Sequence, residues 1–358
     1  MPYLLTALIA FLAAAGLVPA VRWLACRFGA VDQPDAERRW HGRPVPLWGG
    51  VAVFLALALT LTVAGQAGWL PGEHIRLKYL WGLGMAGFLL AFGGVLDDRF
   101  RLKPWQQVVW PILAAVVVIA SGIGVKYITN PLGGQIHLDS LSWTVVWWEG
   151  LPYRLTLLAD IFSFVWLMGM TYTTKFLDGI DGLVAGVTVI GCLVIAAVSQ
   201  MVDVRQPDTA ILAMAGAGAF AGFLVFNFSP AKIFLGEGGA TLAGFFLGAL
   251  AIVSGGKIAT ALLILGLPIF DAVAVIFRRI RQGQPVWRGD RSHLHFRLVD
   301  MGLSQRQAVL FYWFSAAAFG VSTLVLRGWE KLAALGLIVS LTAAFLAGAS
   351  LIRGKRHL

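Results

Sequence analysis

Apolar runs long enough to cross a bilayer recur along almost the whole chain, and no other feature restricts the fold as strongly. They fall near 2–21, 47–66, 79–96, 108–124, 158–174, 183–201, 209–226, 240–254, 258–277, 308–326 and 331–352. A helix needs about 20 apolar residues to cross the hydrocarbon, and there only helices and closed barrels satisfy their backbone. The sequence therefore predicts an all-α, polytopic membrane helical bundle, a single integral-membrane domain over 1–358. It should have eleven transmembrane helices, or ten if the short eighth run does not cross. Charged residues make up 13% of the chain, against about 25% in soluble domains. Cys26 and Cys192 are far apart and differently placed, which points to neither a disulfide framework nor a metal site.

The cations set the expected orientation. With the N-terminus outside, most of the 28 lysines and arginines fall on the cytoplasmic side, as the positive-inside rule requires, giving N-out and C-in. No basic stretch precedes 2–21 and arginines follow it, so it reads as a first span rather than a cleaved signal peptide. The net charge of +10 does not argue for nucleic acid, because the cations gather at the ends of apolar runs. On the outer side, 125–157 alternates polar and apolar residues around Pro131-Leu132-Gly133-Gly134. It reads as a small hairpin followed by an interfacial aromatic segment. No internal repeat is visible, which argues against an inverted-repeat transporter.

Five polar segments share the predicted cytoplasmic side. In 175–186, KFLDGIDGLVAG, Asp178 and Asp181 stand three apart between two apolar runs. Carboxylates there should face water or a ligand, although a plain solvated loop would look the same. In 96–107, LDDRFRLKPWQQ, the adjacent Asp97 and Asp98 repel each other, and a cation such as Mg²⁺ would relieve that. In 227–240, NFSPAKIFLGEGGA, Glu237 lies in a glycine-rich turn opening a helix, whose free N–H groups favour an anion. A simple helix-entry turn would explain that pattern as well. Segment 32–50, DQPDAERRWHGRPVPLWGG, offers arginines for phosphate, or only for topology. Segment 288–298, RGDRSHLHFRL, sets His293 and His295 among Arg288, Arg291 and Arg297. Two local ligands make a poor metal site, and a phosphate-binding arm suits them better. Asp271 lies roughly 10 Å, about two turns, inside the membrane from the basic end of its run. It is either functional or a hydrogen-bond acceptor between helices. Carboxylates for a hard cation, cations for phosphate and adjoining apolar spans for a lipid tail together suit phosphoryl transfer at a membrane surface.

In order and spacing these segments resemble the polyprenyl-phosphate N-acetylhexosamine-1-phosphate transferases, across residues 32–298. The resemblance implies that a polyprenyl (undecaprenyl) phosphate attacks the sugar-linked phosphorus of a UDP-N-acetyl sugar and that UMP leaves. It implies assistance by Mg²⁺, with Mn²⁺ an admissible substitute, in a bacterial cytoplasmic membrane and for cell-wall or surface-polysaccharide synthesis. A homodimer is compatible with it. It carries Asp97, Asp98, Asp178 and Asp181 over as the catalytic acids, with Asp98 and Glu237 also at the metal. Lys103 and Asn227 become substrate contacts, and Arg291, His293 and His295 the arm over the sugar nucleotide; Asp271, singled out by its depth alone, stays a secondary position.

Two departures from that family stand out: Lys175 where asparagine is usual, and Glu237 where aspartate is usual. An ammonium has no lone pair for Mg²⁺, whereas glutamate can ligate it. The expectation is that Lys175 contacts substrate, supplying a fixed positive charge to the diphosphate or to Glu237 and loosening metal dependence. A lysine that merely snorkels to the interface is the plain alternative. Phe296 stands where relatives often carry another histidine. A CDP-alcohol phosphatidyltransferase fails because Asp181-Gly182 is followed by Ala185-Gly186 with no arginine. A sugar-nucleotide or lipid-linked-sugar carrier without catalysis would place ionisable residues near mid-membrane, and only Asp271 lies there.

Overall fold

Every apolar run of the sequence lies in a helix or a pair of helices. The computed structural model describes residues 1–33, 44–70, 72, 75–130, 134–148, 151–202, 204–255, 257–285, 293–326 and 328–356. The chain begins with α1 (Pro2–Arg27), β1 (Val31–Asp32), β2 (Val45–Pro46), α2 (Gly49–Gln66), α3 (Leu77–Phe100), α4 (Pro104–Gln107) and α5 (Val109–Ala120). There follow β3 (Tyr127–Thr129), β4 (Gln135–His137), β5 (Ser142–Trp148), β6 (Leu151–Thr156), α6 (Leu157–Leu177) and α7 (Leu183–Ser199). The remainder is α8 (Pro207–Asn227), α9 (Gly236–Val253), α10 (Ile258–Ile264), α11 (Gly266–Arg281), α12 (Leu294–Asp300), α13 (Gln305–Ser322) and α14 (Trp329–Arg356).

Among the described residues, six helices are long and apolar enough to cross a membrane: α1, α2, α3, α6, α8 and α9. The pair α10 and α11, bent by 77° at its break, is a broken span or a re-entrant loop, so the count among the described residues is six to seven, not the eleven or ten read from the apolar runs. Pro268 in the first turn of α11 has no N–H to continue the ladder from α10, which accounts for the break. The protein is a multi-pass helical membrane protein. Helices α8 and α9 form its centre, with 72% and 83% of their apolar windows buried, against 28% for α1 on the outside. Outer helices expose Leu4, Leu8 and Leu12 of α1 and Trp81, Met85, Phe88 and Phe92 of α3. Apolar surface on that scale belongs against lipid.

One close approach positions the site. A Cβ on Gly94 of α3 or on Gly238 of α9 would run into the backbone of the other helix. Small residues let the two backbones touch, and this brings the end of α3 to the start of α9.

The strands are confined to short antiparallel hairpins. The β3–β4 pair, with Tyr127 opposite His137, is the small hairpin expected in 125–157. Where the sequence predicts an interfacial aromatic segment, a second hairpin, β5–β6, pairs Ser142 with Thr156 and Trp148 with Leu151. The period-two alternation there governs the backbone, and the tryptophans ride on it. The β1–β2 pair brackets residues 34–43, most of the first polar segment, which lie outside the described residues.

Candidate active site

The acid pair Asp97-Asp98 occupies the last turn of α3. The helix stops there because Arg101 takes a left-handed conformation, φ 53°. The Leu102 N–H then donates to Asp97 Oδ1 at 2.9 Å. Successive helical residues project about 100° apart, so Asp97 turns toward α4 while Asp98 turns toward α9. Helix α9 has no side-chain cap of its own. Asp98 Oδ1 accepts the Glu237 N–H at 3.1 Å, so α3 caps α9. A carboxylate at the positive end of a helix is stabilised both by the free N–H groups and by the dipole. The sequence predicts an anion at this helix start. The anion in place is the protein's own.

The loop between α6 and α7 is tied to the segment before α9. Ala231 N–H donates to Asp181 Oδ2 at 2.9 Å. Gly182 N–H donates to Asn227 Oδ1 at 3.0 Å, and Asn227 Nδ2 donates to the Ile233 carbonyl at 2.9 Å. Asn227, predicted as a substrate contact, borders the cavity, but both ends of its amide are bonded to backbone and hold the loop. Thr174 Oγ1 adds a bond to the Ala240 carbonyl at 2.8 Å.

Asp97, Asp98, Asp178, Asp181 and Glu237 thus border one cavity of about 860 Å³. That lies within the roughly 300–1,000 Å³ usual for small-molecule sites. Asp178 is exposed on the wall of the cavity, with the other acids of that wall around it. Lost hydration, together with repulsion from Glu237 and Asp181, lifts its carboxyl to about 7. Lys175 Nζ pairs with Glu237 Oε1 at 2.5 Å and donates to Gln107 Oε1 at 2.9 Å. Gln107 Nε2 in turn donates to Asp97 Oδ1 at 2.9 Å and to the Leu102 carbonyl at 3.1 Å. Glu237, one of the two partners the sequence leaves open for Lys175, is in contact with it. Gln107 carries no signal of its own in the sequence beyond closing LDDRFRLKPWQQ. Lys103, predicted to contact phosphate, is exposed and outside the cavity lining, and its N–H starts α4 by donating to Gln106 Oε1 at 2.9 Å. Arg291 lies outside the described residues.

His293 and His295 come to the same end of the molecule but not into the cavity lining, which Phe296 reaches instead. Asp271 Oδ2 shares a hydrogen bond with His293 Nδ1 at 2.9 Å, and Asp271 Oδ1 accepts the Leu294 N–H at 2.9 Å. Asp271 is thus the acceptor between helices that the sequence allowed. His295 is fully buried, with ring centroids 5.6 Å from His293 and 4.2 Å from Phe296. Neither ring nitrogen of His295 has a partner among the described residues. Burial, and the neighbouring His293, lower its pKa to about 3, so the ring is neutral at physiological pH. The sequence predicts a phosphate-binding arm here; His295 is enclosed and neutral, and Arg288 and Arg291 of that arm lie outside the described residues. The His295 ring lies against Gly179, where any Cβ would strike Nε2, so the first glycine of DGIDG makes room for it.

Among the described residues no three His, Cys, Asp or Glu converge closely enough to hold a metal unaided. Magnesium commonly takes one or two carboxylates and completes its shell with water and substrate phosphate oxygens. The hard oxygens of Asp98 and Asp178 fit that pattern. Glu237, predicted as a ligand beside Asp98, is paired with Lys175.

A cavity walled by acids opens at one end of an apolar, multi-pass helical bundle, the architecture of an enzyme embedded in a membrane. The signature of glycosyl transferase family 4 matches residues 80–255, from α3 through α9. Over 317 residues the chain is 30% identical to the probable undecaprenyl-phosphate N-acetylglucosaminyl 1-phosphate transferase of Bacillus subtilis, covering 87% of this chain and 81% of that protein. It is 32% identical over 332 residues to the decaprenyl-phosphate N-acetylglucosaminephosphotransferase of Mycolicibacterium smegmatis, covering 85% and 78%. The undecaprenyl-phosphate alpha-N-acetylglucosaminyl 1-phosphate transferase of Escherichia coli is 30% identical over 311 residues, covering 83% and 76%. The chain belongs to glycosyl transferase family 4 and is a transferase.

Proposed function

We propose that the protein moves an N-acetylhexosamine-1-phosphate from a UDP-sugar to a polyprenyl phosphate, releasing UMP and leaving a polyprenyl-diphosphate sugar for cell-wall or surface-polysaccharide synthesis. The convergence of Asp98, Asp178, Asp181 and Glu237, drawn from three distant segments, on one cavity carries this reading. The relatives' names specify undecaprenyl or decaprenyl phosphate and N-acetylglucosamine, so those are the first substrates to try. The cavity end faces the cytoplasm of a bacterial inner membrane, following the positive-inside distribution.

A phosphate monoester has its second pKa near 6, so the lipid phosphate is largely a dianion at pH 7 and needs little base. Its oxygen attacks the sugar-linked phosphorus, and the bond from that phosphorus to the oxygen of UMP breaks. Asp98 and Asp178 would hold Mg²⁺, whose charge offsets that of the diphosphate when bound. Asp181 holds the loop against Ala231, and Asp97 is fixed by Leu102 and Gln107, so the acid wall is positioned before substrate arrives.

The test is to incubate purified protein with undecaprenyl phosphate, Mg²⁺ and labelled UDP-N-acetylglucosamine, and then with a panel of other UDP-N-acetyl sugars. UMP release with label appearing in the lipid fraction is expected. Binding of the UDP-sugar without UMP release would replace the transferase reading by a carrier.

A further inference from the structure

Among the described residues the cavity is bordered by Asp32 and the five acids above, against two cations, Arg101 and Lys175. Such a wall repels a diphosphate unless positive charge stands within it. Lys175 provides that charge from a fixed place. It and Glu237 are each 19% exposed at the side chain, open enough to meet a ligand and enclosed enough to hold one geometry. Because Gln107 Oε1 accepts from Lys175, its Nε2 is turned to Asp97. One ammonium therefore links Glu237 of α9, by way of Gln107, to Asp97 of α3. A divalent ion approaching Glu237 would have to displace this ammonium and then remain beside its like charge.

We infer that Lys175 is a resident counter-cation and positioning residue. It takes Glu237 out of the metal's ligand set, aligns Asp97 through Gln107, and holds a positive charge for the diphosphate of a sugar nucleotide. Only the last part rests on the transferase reading. The arrangement makes two affinities move in opposite directions when the charge is removed. In Lys175→Gln, Glu237 is released to the metal, and Mn²⁺ should bind about tenfold tighter, the effect of one close charge. Binding of UDP-N-acetylglucosamine in the presence of a chelator should weaken by about the same factor. Lys175→Arg keeps the charge and should stay near wild type in both. With Glu237→Gln already present, Lys175→Gln should lose most of its gain in Mn²⁺ affinity.

The experiment titrates Mn²⁺ without nucleotide by electron paramagnetic resonance, and UDP-N-acetylglucosamine in chelator by calorimetry. It uses the full-length wild type and these variants, with thermal unfolding to confirm that each is folded. Opposite shifts in Lys175→Gln support the inference. Unchanged Mn²⁺ affinity, a loss of both affinities, or unchanged chelator-phase nucleotide binding overturns it. A wild type that binds no UDP-N-acetylglucosamine even with Mg²⁺ overturns the transferase reading instead, and the Mn²⁺ titrations then decide the role of Lys175 by themselves.

Discussion

Lys175 and Glu237 meet on the wall of the cavity, each 19% exposed at the side chain, whereas His293 and Asp271 meet away from the cavity lining, at 9% and 3%. Both regions pair an acid with a base across two elements, and both lie at the acid-bearing end of the bundle. They differ in what remains open. Asp271 receives His293 on one oxygen and the Leu294 N–H on the other, and at 3% exposure it is out of reach of a ligand. Glu237 is paired at Oε1 and borders open space. Pairs open to water contribute little to stability, and buried ones are costly to break by removing a single partner. The wall pair can therefore rearrange when a ligand arrives, and the buried pair serves as a fixture.

The comparison should break most widely where an open carboxylate is removed without disturbing the fold. Asp98→Asn keeps an acceptor for the Glu237 N–H, so the melting temperature should barely move. Activity should fall at least about 10³-fold in the UMP-release assay, since charge neutralisation carries most of phosphoryl transfer. Asp271→Ala should do the reverse. It leaves the Leu294 N–H and the His293 ring without their acceptor, which should cost about 3–5 kcal/mol of stability. Activity should then track the folded fraction, and Asp271→Asn should cost less, about 1–3 kcal/mol.

His295 sharpens the contrast through pH. Its folded pKa of about 3 lies below the ordinary 6.5 of the unfolded chain, so between those values only the unfolded state takes the proton. Stability should fall as pH drops below 6.5, by up to about 1.4 kcal/mol per pH unit. Asp178, raised to about 7, contributes with the opposite sign. The measurement is therefore the difference in melting temperature between wild type and His295→Asn from pH 7 to pH 5, which should shift in favour of the variant as acid is added. The smallest effect belongs to Lys103→Ala. Its side chain is exposed and outside the cavity lining, so activity should change less than about twofold.

The helices are legible in the sequence because span-length apolar runs admit few other structures, and the acids are legible because charge at a span end is costly without a purpose. What escapes is what tertiary placement decides. Nothing local in LDDRFRLKPWQQ distinguishes Gln107 from Gln106, yet only Gln107 stands between Lys175 and Asp97. His293 and His295 stand two apart in a polar segment, and it is the tertiary contacts with Asp271, Gly179, Phe176 and α13 that enclose them. Alternation in 142–156 is present in the sequence, but Trp143, Trp147 and Trp148 dominate its composition and mask the second hairpin.

The bond between Asp98 and the Glu237 N–H joins residues 139 positions apart in the chain. During synthesis α3 is made long before α9, and until α9 seats beside it the acid has no helix end to grip. A half-inserted polypeptide therefore lacks the cavity, whose acid wall closes only once the late helices have docked.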